Sequence, residues 1–454
     1  MTLTKPGQPC SIGTLLLMAA AMLPLAGSGA QAAPGPAVTP AELRAHSSEF
    51  RRELIRITDG VYIAVGYAAS NVILVQGTDG VIVIDTTPSP TEARAVMADF
   101  QRVAHGPVRA IIYTHSHPDH TGGATVFAGA DKPDIIAGFA RPDSPTGRAN
   151  RDGGDQFGVK IPEPPYINAG VQLEVGRNVP PTRAGYLAPT HVFSGKEEML
   201  TIAGVSLKLV AAPGETGDTI AVWLPEKRVL VSGDDILKTF PNISPVRGTP
   251  TRSAEEWIAT LDTLAHLDAA YLLPGHMRPV IGADNVRAVI GAYHDGIKSI
   301  YDQTVAGMMK GERPDELVKH VKLPRALAEN PYLREYYGAV EWMVRGVYAG
   351  KVGWFDGNAT GMFPLSVQER AADLLPLIGG ATGALASAQS AYDAGKYVWA
   401  AELTDDVLAL DAGHVAAKRL KARALAALGE QQGNAIARNY YLSVSQQLLA
   451  ETAK

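Results

Sequence analysis

Short apolar runs of strand length recur through the first part of the chain, and several of them end in a turn that carries a histidine or a carboxylate. The runs of this kind are residues 108–113, 206–210, 228–231 and 272–273. Each would deliver a polar side chain at the C-terminal tip of a strand. From 385 to 428 the pattern changes to alanine-rich helices. We therefore expect an α/β region followed by an all-helical one.

The densest polar cluster follows the first of these runs. Residues 114–123 read THSHPDHTGG and place His115, His117, Asp119 and His120 within six positions. In an extended chain His115, His117 and Asp119 lie on one side while the next histidine enters a turn, so the cluster can serve two ions as easily as one. Imidazole nitrogen and carboxylate oxygen suit divalent cations, zinc above all. The alternative is a polar loop of solvated histidines, which a lone HxH would favour and this fuller motif does not.

Further candidate ligands follow the other runs. Glu215 lies in the glycine-rich turn PGETGDT, Asp234 lies in SGDD, and His276 ends LLPGH. Taken singly, Asp234 or His276 would indicate no more than a turn. Their shared position just past a strand repeats that of His120, which favours one common site.

Taken together, these four motifs and their order resemble the metallo-β-lactamase superfamily, over roughly residues 50 to 285. The paired runs 71–75 and 80–86 fit the opening hairpin of that fold. The resemblance implies an α/β fold, an αββα sandwich. Most of the superfamily has histidine where this chain has Glu215, and a glutamate at this place is similar to the alkylsulfatase branch.

The resemblance to that branch implies two Zn²⁺ ions per chain. The implied ligands are His115, His117 and Glu215 for one ion and Asp119, His120 and His276 for the other, with Asp234 bridging. Asp119 and Asp234 are expected to be catalytic as well, and Asp85 to support the histidine loop from behind the ligands. A bridged pair of zinc ions lowers the pKa of a shared water toward neutrality and polarises the substrate. Three carboxylates would also accept manganese or iron.

The C-terminal part carries a second resemblance. A helix is expected to begin at Tyr293 and to run to about Gly311. Segments between 293 and 358, among them GWFDGN, look like the dimerisation domain of alkylsulfatases, which implies a homodimer. Residues 385–428 are typical either of a short tetratricopeptide-type hairpin stack or of a plain helical bundle. The predicted divisions are a signal peptide at 1–33, a metallo-β-lactamase-like catalytic domain at 41–290 and a helical dimerisation domain at 291–450.

The resemblance also implies how a sulfate group is held. Asn242 and Arg247 in PNISPVRG match the family's sulfate-binding asparagine and arginine, and an arginine fork suits a tetrahedral oxyanion. A surface salt bridge is the alternative for Arg247. The family histidine thought to assist the leaving group is Pro241 here, and proline cannot donate a proton. Either the substrate needs no such help, or Tyr186 or His191 replaces that histidine; both could equally be structural.

Large alkylsulfatases continue into a sterol-carrier-like domain, whereas this sequence stops at Lys454. We therefore expect any alkyl tail to be recognised by the long Gly- and Pro-rich loop from 137 to 193, with Tyr186 among its substrate-binding residues. Few aromatic residues occur in that loop, which favours a smaller or less apolar ligand than dodecyl sulfate.

Charge and cysteine content limit which binding partners and metal ligands are expected. The net charge is −5 and no basic run occurs, which makes nucleic acid an unexpected partner. Cys10 is the single cysteine, so a mature chain would bind metal through nitrogen and oxygen alone.

The N-terminal residues are typical of an export signal, with Lys5, an apolar stretch at 12–25 and small residues at 30–32. A periplasmic or secreted protein with no integral membrane segment in the mature chain, opening with a helix near 40–54, is expected.

The sequence thus predicts a dizinc hydrolase acting on a small anionic ester, preferably a sulfate monoester. Another hydrolase on the same scaffold, for a β-lactam, a lactone or a phosphoester, is the enzyme alternative. A metal-bound binding protein without activity is the non-enzyme alternative. The complete set of seven candidate ligands argues against it.

Overall fold

The structure is a computed structural model that describes residues 37–139, 183–246 and 251–453. The predicted signal peptide, Arg247 and most of the loop from 137 to 193 lie outside these residues.

Two β-sheets form the centre of the α/β region. The first contains, in spatial order, β1 (Glu53–Thr58), β2 (Val61–Val65), β3 (Val72–Gln76), β4 (Val81–Ile84), β5 (Val108–Tyr113), β6 (Asp134–Ala137) and β7 (His191–Val192). Strands β1 to β4 pair antiparallel, which confirms the predicted hairpin, and β4 to β7 pair parallel.

The second sheet carries the later strands. It contains β8 (Glu197–Ile202), β9 (Val205–Ala211), β10 (Ile220–Leu224), β11 (Val229–Gly233), β12 (Tyr271–Pro274) and β13 (Val280–Ile281), in the spatial order β13-β12-β11-β10-β9-β8. All neighbours are antiparallel except β11 and β12, which are parallel. Parallel neighbours end at the same sheet edge, so the turns after β11 and β12 come together.

The helices of this region are α1 (Pro40–His46), α2 (Pro90–Phe100), α3 (Pro118–Thr121), α4 (Ala124–Ala128), α5 (Ala254–Ala265) and α6 (Ala283–Met308). Helices α2 and α4 pack on the outer face of the first sheet, and α5 and α6 pack on that of the second. Strands such as β4 and β10 are buried at every position, because one face packs on the opposite sheet and the other on helices. Ile84 and Val222 belong to the apolar layer between the sheets. The αββα sandwich is confirmed.

Two predicted helix boundaries are wrong. The first helix ends at His46, and a 3₁₀ turn at Ser47–Phe50 leads into β1, so residues 40–54 are not one helix. Helix α6 begins at Ala283, well before the expected start at Tyr293, and runs across the predicted domain division at 290. Its residues Val286, Ile290 and Ile297 share one apolar cluster, which makes the helix continuous with the sandwich.

The C-terminal part is all-helical, as predicted. Its helices are α7 (Pro314–His320), α8 (Arg325–Ala328), α9 (Val340–Val352), α10 (Val367–Leu377), α11 (Gly380–Asp393), α12 (Tyr397–Leu410), α13 (Val415–Gln431) and α14 (Ala435–Glu451). Buried alanines at 391, 400 and 424 join α11, α12 and α13 in one cluster. Within the described residues no single helix has the length and apolarity to cross a membrane, while α10 and α11, bent by 85°, meet the criterion only as a pair.

Candidate metal centre

The histidine motif forms a sharp turn directly after β5. Strand β5 ends at Tyr113, and Thr114 to Ser116 form a bend. His117 caps α3, and Pro118 occupies the first helical position, where its missing N–H costs nothing. The turn brings His120 back beside the first histidine, with their ring centroids 4.2 Å apart. All three histidines are buried, whereas the Asp119 side chain is 27% exposed. The three histidines therefore face inward, and the Asp119 side chain is partly exposed to solvent.

The three later ligands reach the same place from the second sheet. Glu215 follows β9, Asp234 follows β11, and His276 follows β12. Each is at least 94% buried, with exposures of 4%, 6% and 4%. Strand ends of both sheets thus meet at one edge of the sandwich, as the positions of these residues past apolar runs indicated.

Asp234 lies at the centre of the cluster. Its Oδ2 is 3.0 Å from His276 Nε2, 3.4 Å from His120 Nε2 and 3.8 Å from His115 Nε2. Asp119 Oδ2 is 3.4 Å from both His120 Nε2 and His276 Nε2. The carboxylate of Asp234 can therefore contact ions held on either side of it.

The described residues offer three groups of ligand atoms, each compact enough for one cation. The groups are His115, His120 and Asp234; Asp119, His120 and His276; and His117, Glu215 and Asp234, with atoms within 4.8 Å of one another. His120 Nε2 and Asp234 Oδ1 are buried and have no hydrogen-bond partner in the part of the chain described. Buried polar atoms without partners are costly unless something satisfies them, and a divalent cation would satisfy both. The donor set therefore fits the metal that the sequence predicted.

Behind the ligands, backbone and carboxylate groups fix the imidazoles. Asp85 accepts hydrogen bonds from the Thr114 N–H at 2.8 Å and the Thr114 hydroxyl at 2.9 Å, and its Oδ2 lies 2.8 Å from His120 Nδ1. His276 Nδ1 lies 2.7 Å from the Ala69 carbonyl oxygen, which can only accept. In both rings the Nδ1 side is engaged, which leaves Nε2 for a cation.

The pKa values of the histidines in the cluster are shifted in different directions. Burial, with His120 and His117 nearby, holds the pKa of His115 well below its ordinary value. Burial also lowers the pKa of His120, but Asp234, Asp119 and Asp85 outweigh it and raise the pKa well above its ordinary value. The pKa of His276 is likewise raised, because Asp234 and Asp119 outweigh burial. The site therefore attracts positive charge, which a metal ion would supply.

Two residues beside Glu215 were not predicted. Asp235 accepts a hydrogen bond from the Glu215 N–H at 2.8 Å, and Arg252 forms a buried ion pair with the Glu215 carboxylate. Burial, with Glu215 and Asp234 nearby, raises the pKa of Asp235 well above its usual value. The second aspartate of SGDD was a visible signal. Arg252 carried no comparable signal, because its role depends on a contact between distant parts of the chain.

Of the predicted sulfate-binding residues, Asn242 is described and Arg247 is not. Asn242 is 2% exposed, and neither its side-chain nitrogen nor its oxygen has a hydrogen-bond partner within the described residues. Its backbone carbonyl accepts a hydrogen bond from Arg252, which links this segment to the ion pair with Glu215. The asparagine is thus positioned near the metal centre with its amide group available.

The two candidate proton donors have other neighbours. The Tyr186 ring stacks on Tyr113, with centroids 6.0 Å apart, and packs with the apolar cluster on the outer face of the first sheet. His191 Nε2, on β7 of the first sheet, lies 3.1 Å from Glu198 on β8 of the second sheet, in a partly exposed pair. Neither contact involves a candidate ligand, so their assignment to catalysis stays a prediction.

Comparisons with known proteins match both parts of the chain. Residues 65–276 match the metallo-β-lactamase superfamily, and residues 313–451 match the alkyl sulfatase dimerisation family. A linear primary-alkylsulfatase of a Pseudomonas sp. is 36% identical over 391 residues, which cover 83% of this chain and 73% of that protein. An (R)-specific secondary-alkylsulfatase of Pseudomonas sp. is 29% identical, over 87% of this chain and 62% of that protein.

A solved structure agrees with these matches. The stereoselective inverting sec-alkylsulfatase Pisa1 of Pseudomonas sp. superposes with a TM-score of 0.78 at 26% identity, covering 89% of this chain and 67% of that one. The chain therefore spans between about three fifths and three quarters of the length of these relatives.

Proposed function

Because this chain belongs to the alkylsulfatase family, the sulfuric ester hydrolases of the metallo-β-lactamase superfamily, we propose that it hydrolyses a small alkyl sulfate to an alcohol and inorganic sulfate. The convergence of seven buried or half-buried ligand side chains, with Glu215 among them, is the observation that carries the proposal. The identity to a primary-alkylsulfatase supports the substrate class.

We further propose that the site holds two zinc ions. His115, His117 and Glu215 would hold one, Asp119, His120 and His276 the other, and Asp234 would contact both. Bound there, the ions would supply Lewis acidity and make a water molecule acidic enough to ionise near neutral pH. Asp234 lies centrally among the histidines, so its carboxylate would link the two proposed zinc sites.

The chain's own residues would orient the ester. Asn242 would donate its unpartnered amide N–H to a sulfate oxygen, and Arg247 would pair with the anion. Asp119, the most exposed of the ligands, lies where a substrate can enter. Pro241 provides no proton, so the departing oxygen would be protonated by another donor or would leave as the anion.

The test is sulfate release by purified, zinc-loaded protein from alkyl sulfates of increasing chain length. We expect release that disappears on metal removal and falls by at least about a hundredfold in Arg247→Ala, since a charge-assisted pair with the substrate is lost. Release that is absent at every chain length from protein with two bound ions would contradict the proposal. β-Lactams, lactones and phosphoesters would then be assayed on the same preparation.

The bond that breaks can be determined in the same assay. Hydrolysis in water labelled with heavy oxygen places the label in sulfate if attack falls on sulfur, and in the alcohol if attack falls on carbon. Mass spectrometry of both products distinguishes the two.

We also propose that residues 1–33 direct export and are removed, which would give a periplasmic or secreted enzyme. Lys5, the apolar stretch and the small residues at 30–32 support this. Sequencing the N-terminus of protein recovered from the periplasm would test it. A chain retained in the cytoplasm with its first residues intact would contradict it.

A further inference from the structure

We propose that Arg252 is a positioning residue, which holds the Glu215 carboxylate ready for metal and ties it to the segment carrying Asn242. The inference rests on the proposed role of Glu215 as a ligand. It assigns a function to a residue that the sequence motifs did not identify.

Arg252 is anchored at both its backbone and its side chain. It lies two residues before α5, and its backbone N–H donates to the Ile243 carbonyl at 2.8 Å. Its guanidinium forms the ion pair with Glu215 and donates to the carbonyl of Asn242. The side chain is 7% exposed. One buried side chain therefore joins a candidate ligand to a candidate substrate-binding segment.

The two oxygens of Glu215 face different partners. Oε2 contacts Arg252, whereas Oε1 lies 3.7 Å from Nδ1 of His117. With one oxygen fixed by the guanidinium, the other is left pointing toward the histidine with which it would share an ion. Partners of this kind behind a ligand fix its orientation, and their loss commonly weakens metal binding about 10- to 100-fold.

The burial of the Glu215 carboxylate makes a cationic partner necessary. Glu215 is 4% exposed, and the fully buried Asp235 lies against its backbone N–H. A buried carboxylate that loses its cationic partner is strongly destabilised. In the absence of a metal ion, Arg252 supplies the opposite charge, so that the ligand stays in place before the ion arrives.

Zinc affinity and stoichiometry of the mature protein test the proposal, measured by chelator competition and elemental analysis. In Arg252→Met we expect one of the two ions to bind about 10- to 100-fold more weakly, while the other binds as in the wild type. Arg252→Lys, which keeps the charge, should recover at least part of the lost affinity. Arg228→Met is the matched control, because Arg228 pairs with Asp268 at the opposite end of β11.

Zinc affinities within twofold of wild type for both ions in folded Arg252→Met would overturn the proposal. If Arg252→Met does not fold, a double-mutant cycle is measured instead. It compares the zinc affinity of Arg252→Lys, Glu215→Gln and the double variant with that of the wild type. Once the carboxylate is gone, changing Arg252 should cause no further loss of zinc, and an additive loss would overturn the assignment. Since the measured quantity is bound zinc, a wild-type protein that releases no sulfate would contradict the proposed reaction and leave this test intact.

Discussion

At the scale of single residues, the site combines ligands that are visible in the motif with neighbours that are not. His115, His117 and His120 follow from the spacing of the motif, and the structure brings them together with Glu215 and His276. In His120 and His276, Asp85 and the Ala69 carbonyl engage Nδ1, so these two donors gain their direction from the fold.

Pro241 permits a test of how the leaving group is protonated. Pro241→His would place an imidazole where the family's histidine stands, and general acid catalysis commonly contributes 10²–10⁴-fold. We expect kcat for alkyl sulfates to rise by at least about tenfold, with a new decline at high pH as the imidazole loses its proton. Steady-state rates from pH 5 to 9 measure this, with Pro241→Ala as control. An unchanged profile would show that protonation does not limit turnover.

Gly275 permits a test of how tightly the ligands are packed. A Cβ at this position would lie 2.1 Å from Asp234 Oδ1 and 2.9 Å from His120 Cε1. Gly275→Ala must therefore displace the central carboxylate, and we expect zinc affinity to fall by at least about tenfold with little change in secondary structure. Gly217→Ala is the control, since nothing lies within 4 Å of a Cβ there. Equal zinc affinity in both variants would contradict the expectation.

At the scale of elements, strand ends position the chemistry and short segments at the periphery set part of the stability. Helix α1 ends at His46, whose ring stacks on Tyr336 at a centroid distance of 4.0 Å. Burial lowers the pKa of His46 to about 4, against an ordinary value of 6.5. The folded protein thus prefers the neutral ring.

The sign of the resulting pH dependence follows. Between pH 6.5 and about 4 the unfolded chain binds a proton at His46 that the folded chain does not, so stability falls as the pH is lowered. At about 1.4 kcal/mol per pH unit the full effect approaches about 3 kcal/mol. His46→Phe keeps the aromatic stacking and removes the titrating group. As the pH is lowered from 6.5 to about 4, its Tm should therefore fall less than that of the wild type. Parallel Tm profiles, or the same flattening in His105→Phe at an exposed position, would contradict this.

At the scale of the whole molecule, the helical part leaves apolar side chains uncovered. Trp354 is 76% exposed and Phe363 is 96% exposed, both in the region that matches the alkyl sulfatase dimerisation family. Met362, Leu365 and Val367, close to them in sequence, are also more than half exposed, and exposed apolar residues grouped in this way are typical of an interface. We propose that a second copy of the chain covers them.

This proposal predicts a change of oligomeric state. The double variant Trp354→Ser/Phe363→Ser should shift the protein from dimer to monomer at micromolar concentration, because apolar area buried between copies is lost. Light scattering coupled to size exclusion measures the mass. Met199→Ser, which removes a 60% exposed apolar residue from the sandwich, is the control and should leave the mass unchanged. A wild-type monomer would contradict the dimer itself.

The sequence by itself determined the fold class, the opening hairpin and the residue types of the metal centre. Apolar periodicity and the spacing of histidines are local properties, so both can be recognised in the sequence alone. It misjudged where α1 ends and where α6 begins, since helix boundaries depend on which apolar face is buried.

The sequence also indicated that Asp85 supports the histidine loop, which its contact with His120 Nδ1 agrees with. Only the tertiary structure showed that Arg252 supports Glu215, because these residues are distant in sequence and meet where α5 packs against the second sheet. The tertiary structure also places Tyr186 against Tyr113 and His191 beside Glu198. Contacts of this kind arise from the packing of elements in three dimensions, and no local pattern encodes them.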